Sequence, residues 1–146
     1  MYRFHISLHA LKTDQSAQPG ERLDVERRAV RPLPLQPADL VHPFDVTFDE
    51  AGDRLSALPR MFFEPDGSFV WRGERDGETW QVDGNLYDGG GRLQYVDLKG
   101  ECPPDEFDRM LTAIGWPATT IVIQLTRHAL FLGEREFREW AARDVS

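Results

Sequence analysis

The sequence predicts an α+β fold: an antiparallel β-meander sheet of five or six strands, with two helices from the C-terminal half of the chain packed on one face. Three observations lead there. Between Arg60 and Gly100, four short apolar runs are separated by Pro65-Asp66-Gly67, Arg75-Asp76-Gly77 and Gly89-Gly90-Gly91, the punctuation of successive hairpins. Phe107, Met110, Leu111 and Ile114 fall at the i, i+3, i+4, i+7 spacing of one helix face. Thr119 to Thr126 is β-branched and apolar, as an interior strand requires. With 146 residues the chain is expected to form one domain over 1–146, with an irregular proline-rich excursion at about 12–43.

In chain order, Tyr2, Phe4, Ile6 and Leu8 alternate with Arg3, His5, Ser7 and His9, the period-two pattern of a half-buried strand. The excursion that follows holds half of the prolines and little periodicity, with one short extended piece expected at Arg22 to Val30. A helix is expected from Asp49, as its cap, to about Leu58, stopped by Pro59 and weakened by Gly52. In the first hairpin, Pro65 presets the turn and Gly67 supplies its left-handed position. That places Phe63 opposite Phe69 and Met61 opposite Trp71 on one face, with Phe62 opposite Val70 on the other. In the next two strands, Trp80, Val82, Leu86, Val96 and Leu98 form an inward row, while Gln81, Asp83, Asn85, Tyr87, Tyr95, Asp97 and Lys99 form a polar outward row. Pro104, Asp105 and Glu106 open the helix that carries Phe107, and Gly115 and Pro117 close it. A last amphipathic helix runs from Glu134 to about Ala142 through Phe137, Trp140 and Ala141.

Charge narrows the function. The formal net charge is −8, and the 17 Lys and Arg are spread without a basic run, which disfavours a nucleic-acid partner. No stretch approaches the roughly 18 uninterrupted apolar residues of a membrane helix, and the N-terminal residues lack the continuous apolar core of a signal peptide. The single Cys102 excludes an intrachain disulfide. A cytoplasmic location is therefore expected, with no membrane partner. Cys102 precedes a helix start but shares that turn with Asp105 and Glu106, which oppose a thiolate, so it reads as a structural thiol.

The candidate catalytic residues are Asp83, Asp97, His5 and His9. If Tyr87 pairs with Leu93, Asp83 stands opposite Asp97 with Cβ atoms about 5 Å apart, close enough to share a proton or a metal. Sliding the register by two residues sets Asp83 against Lys99 and Tyr87 against Tyr95, replacing repulsion with attraction; an ordinary cross-strand ion pair is the expected outcome. His5 and His9 share the polar face of the first strand, but four residues of strand span about 13 Å, too far for one ion. The glycines at 89–91 are turn formers, because no Lys-Ser/Thr or helix start follows them.

Arg31-Pro32-Leu33-Pro34-Leu35-Gln36-Pro37 carries a base at its first position and prolines at its fourth and seventh. Through Arg31, Pro34 and Pro37 it resembles the ligands of SH3 domains, although a rigid linker needs the same residues. The apolar residues on both faces of the first hairpin point either to a partner surface, with Met61, Phe63, Phe69 and Trp71 as its contacts, or to cover by the proline-rich excursion.

The expected function is a non-enzymatic protein-interaction or binding module that engages a protein, or a second copy as a homodimer, through an exposed sheet face and the proline-rich segment. No cofactor or metal is expected. Two readings stand beside it: a small metal-dependent or acid-base hydrolase using Asp83 and Asp97 with a strand histidine, and a small-ligand pocket on the sheet lined by Trp80, Tyr87 and Tyr95.

Overall fold

The computed structural model describes residues 1–12 and 18–142. Its elements are β1 (Tyr2–Leu11), β2 (Leu23–Val25), β3 (Arg28–Val30), α1 (Phe48–Ser56), β4 (Met61–Phe63), β5 (Ser68–Arg75), β6 (Glu78–Gly89), β7 (Arg92–Cys102), α2 (Pro104–Ala113), β8 (Thr120–Leu125), β9 (Leu130–Gly133) and α3 (Glu134–Ala142). Seven strands form one antiparallel sheet in the order β4-β5-β6-β7-β1-β8-β9, while β2 and β3 form a separate hairpin. The fold is α+β as expected, with one strand more than expected. The extra strand, β9, is four residues long and follows a turn whose left-handed residue is Ala129 (φ 53°), where the sequence offers no glycine to announce it.

The first strand lies between β7 and β8, so the meander and the β8–β9 hairpin share one sheet only through β1. Its even-numbered side chains, Tyr2, Phe4, Ile6, Leu8 and Ala10, are all buried. They meet α2 and α3 in an aromatic cluster: the rings of Phe107 and Phe137 stack at 5.4 Å, and Tyr2 meets them edge-on at 5.6 and 6.0 Å. A third helix joins them, because Ala51 and Leu55 of α1 enter the same core. This helix is capped by Thr47 rather than Asp49: Thr47 Oγ1 accepts from the Glu50 amide at 3.0 Å, and Glu50 reaches back to the Thr47 amide at 3.2 Å. Gly52 lies within the helix and packs closely, since a Cβ there would stand 3.0 Å from the Phe63 ring.

The first hairpin pairs as expected, Met61 with Trp71, Phe62 with Val70 and Phe63 with Phe69, around Gly67 in the left-handed region (φ 97°). Met61, Phe63, Phe69 and Trp71 lie on the core side of this hairpin. Phe69 and Trp71 are buried in the core and Met61 and Phe63 pack against it, because α1 lies over this face. Strand pairing sets aromatic rings over glycines here: Phe69 lies opposite Gly84 and Trp80 opposite Gly73. A Cβ on Gly84 would come within 2.1 Å of the Phe69 ring, so the missing side chain is what lets the ring lie flat on the sheet.

From residue 18 onward the proline-rich excursion is more ordered than its composition predicts, and its residues 13–17 lie outside the described residues. β2 and β3 turn through Glu26 and Arg27, both with positive φ (51° and 64°). The hairpin is latched to α3, with the Arg28 guanidinium 3.8 Å from the Trp140 ring centroid and Trp140 Nε1 donating to the Val25 carbonyl at 3.1 Å. Leu33 and Leu35 then pack with Leu40 on Leu11, Val122 and Phe131, a second apolar cluster on the face of the sheet opposite the three helices. The Leu33 amide donates to the Phe131 carbonyl at 2.7 Å, which occupies part of the β9 edge. The excursion thus covers the β1-β8-β9 end of the far face, not the first hairpin.

Candidate functional site: the uncovered sheet face

Between the proline-rich cover and the first hairpin, the far face of the sheet carries the outward residues of β6, β7 and β1, and the register arranges them in rows. One row runs Gln81, Glu101, Arg3; the next runs Asp83, Lys99, His5; the third runs Asn85, Asp97, Ser7, Gln124. Beyond them Tyr87 pairs with Tyr95, and the His9 ring continues that line. Asp83 and Asp97 therefore lie one row apart and on different partners. The shared-proton dyad does not form, and the two-residue slide that pairs Asp83 with Lys99 is the register adopted. A bulge between Tyr87 and Asp88 absorbs the difference before the glycine turn.

The aromatic row is a stack. Tyr87 and Tyr95 have centroids 4.3 Å apart and planes 11° apart; Tyr95 and His9 are 5.7 Å and 12° apart. Phe131 closes the far end edge-on to His9 at 6.1 Å. Both tyrosines are half-buried. Hydrogen bonding towards Asp97, followed by burial and the Asp97 charge, holds the Tyr87 phenol above its ordinary pKa. Burial lowers the pKa of His9, opposed by the nearby Asp97 charge.

Ser7 and His9 invite comparison with a nucleophile and its base, since Ser7 Oγ lies 2.8 Å from His9 Nε2. Ser7 Oγ also lies 3.1 Å from Gln124 Oε1, so it is tied into a contact with both neighbours. Ser7 is also buried. The trio works as a satisfied polar network beneath the aromatic stack.

The other candidates fall as follows. Trp80 is buried on the helix side of the sheet and Tyr87 and Tyr95 lie on the opposite side, so the three do not line one pocket. His5 is exposed and His9 half-buried, and among the described residues no group of three or more His, Cys, Asp or Glu is placed to hold a metal ion. In the proline tract the leucines turn inward, while Arg31, Pro34 and Pro37 remain at the surface; the Arg31 amide donates to Glu136 at 2.7 Å. Cys102 is fully buried, and desolvation, followed by Glu106 and Asp105, pushes its thiol well above the ordinary range. Among the described residues no helix is long and apolar enough to cross a membrane.

One feature had no counterpart in the sequence reading. An open cleft of about 1580 Å³ runs along the end of the sheet where β1 begins, from the uncovered face round to the C-terminal end of α3. Its cationic side chains come from β1, β3, β5, β7 and the segment after β8, too far apart in sequence to form a basic run. No family model, no curated protein and no solved structure matches the chain.

Proposed function

We propose that the chain is a protein-binding module without catalysis of its own, and that its recognition surface is the sheet face between the proline-rich cover and the first hairpin. The observation that carries this reading is the Tyr87–Tyr95–His9 stack, which sets half-buried aromatic rings on the face opposite α1, α2 and α3. Tyrosine suits such a surface because it offers a large rigid apolar area with a polar tip. Phe62, 62% exposed on the same face of the first hairpin, extends the apolar contact towards the β4 edge. Leu33 and Leu35 pin the proline tract in place, which leaves Pro34 and Pro37 exposed at a fixed position.

Two further points support binding over hydrolysis. Asp83 and Asp97 occupy different rows, and the Ser7 hydroxyl is buried. A photo-crosslinking amino acid placed at Tyr87 or Phe62, with Arg135 on the outer surface of α3 as the control position, tests the reading in a lysate. Discrete adducts with another protein from the two sheet positions and none from Arg135 are expected. Equal labelling from all three positions, or none from any, would overturn it.

A further inference from the structure

The cleft at the end of the sheet reverses the charge of the chain. Five cationic side chains of the described residues line it: Arg3, Arg28, Arg72, Lys99 and Arg127. Of the Asp and Glu among the described residues, only Glu26 and Glu101 do so, and both are already engaged. Glu101 pairs with Arg3 at 2.8 Å; Glu26 pairs with Arg28 at 2.8 Å and lies 3.8 Å from His128. Arg72, Lys99 and Arg127 are exposed and make no ion pair among the described residues. Asp83 stands across from Lys99, but its carboxylate accepts from Gln81 Nε2 at 2.8 Å. Three unpaired cations gathered on an otherwise acidic surface create a local positive potential that draws in an anionic ligand.

We propose that this cleft seats an acidic peptide segment of the partner protein, a proposal that rests on the sheet-face reading and names the chemistry of what binds there. Size favours a chain over a small molecule, because the cleft exceeds the roughly 300–1000 Å³ of ordinary ligand pockets and is open along its length. Spacing agrees. Arg72 on β5 and Lys99 on β7 lie two strand steps and one row apart, about 12 Å, which about four residues of an extended peptide cover. Arginine forks bind carboxylates bidentately, and Lys99 on the neighbouring row adds a point charge. A nucleic acid would bring a longer run of charge against the acidic surface outside the cleft.

The test is fluorescence anisotropy of a labelled octaglutamate peptide titrated with the full chain, beside a single-stranded oligonucleotide of equal charge. Saturable peptide binding is expected, weakened about tenfold by Lys99→Glu or Arg127→Glu and lost when salt is raised from about 0.02 to about 0.5 M. Both residues are exposed, so circular dichroism should show both variants folded. The salt dependence of the unmodified chain tests the proposal even where a variant does not fold. Absence of peptide binding, binding indifferent to both reversals, or tighter binding of the oligonucleotide would each overturn the proposal. So would self-association abolished by Lys99→Glu, which would assign the cleft to a second copy. Sheet-face adducts at Tyr87 without peptide binding would leave the module standing and the acidic partner refuted. Peptide binding without adducts at Tyr87 or Phe62 would refute the sheet face instead.

Discussion

Asp83 and Lys99 are register partners across β6 and β7, and on its other side Lys99 faces His5 of β1. This pairing separates Asp83 from Asp97 and sets a cation between β6 and β1. Lys99→Asp would restore a directly opposed carboxylate pair, and it should destabilise the protein by about 0.5–1 kcal/mol in urea unfolding. Lys99→Gln should cost less, because it removes the cation without placing a second carboxylate opposite Asp83. Equal effects of the two variants would contradict the pairing.

The ring of Phe69 on Gly84 makes that glycine a packing position. Gly84→Ala should destabilise by about 1–3 kcal/mol, since the new methyl meets a buried ring that has nowhere to move. Gly133→Ala, where an added Cβ meets nothing within 4 Å, should change stability by no more than about 0.5 kcal/mol. Paired denaturation curves separate the two positions.

The proline-rich segment contributes stability through its leucines. Leu40→Ala removes a buried side chain from the cluster with Leu11, Val122 and Phe131 and should cost about 2–3 kcal/mol, whereas exposed Pro34→Ala should be nearly neutral. A segment that served only as a linker would tolerate both changes equally.

His9 makes stability pH-dependent. Its folded pKa is lowered by burial from the ordinary 6.5, so below that value the unfolded chain binds more protons than the folded one. Stability therefore rises with pH across this window and is lost as pH falls through 6.5 towards the lower folded pKa. Glu50, Asp66 and Asp105 have folded pKa values lowered from 4.5, 3.8 and 3.8, so their contributions fade only in more acid solution. The melting temperature should fall between about pH 7 and pH 5.5, and His9→Gln should flatten that slope. An unchanged slope in the variant would place the proton elsewhere.

What was legible in the sequence was local. Pro65 and Gly67 specify their turn within five residues, and the pairing of Phe63 with Phe69 follows by counting outward. Phe107, Met110 and Leu111 declare their helix face by spacing alone, and all three are buried. The rest depends on where distant segments meet. Apolar residues on both sides of the first hairpin do not reveal which side α1 will cover, so Trp71 read equally well as core or as partner surface. The β2–β3 turn uses Glu26 and Arg27 at positive φ, positions usually marked by glycine or asparagine. The cleft was the least legible feature of all. Arg3, Arg72, Lys99 and Arg127 belong to different segments, and only the strand order gathers them.

The central claim is that the uncovered sheet face and its cationic end recognise a partner, and amide chemical-shift mapping tests it most directly. On titrating the ¹⁵N-labelled chain with octaglutamate, the amides that move should cluster at residues 3–5, 72–81, 97–101 and 127–128, grading into Tyr95 and Tyr87, while α1 and the outer surface of α2 stay still. Shifts concentrated on the helix side, or no shifts in the cleft at low salt, would contradict the account.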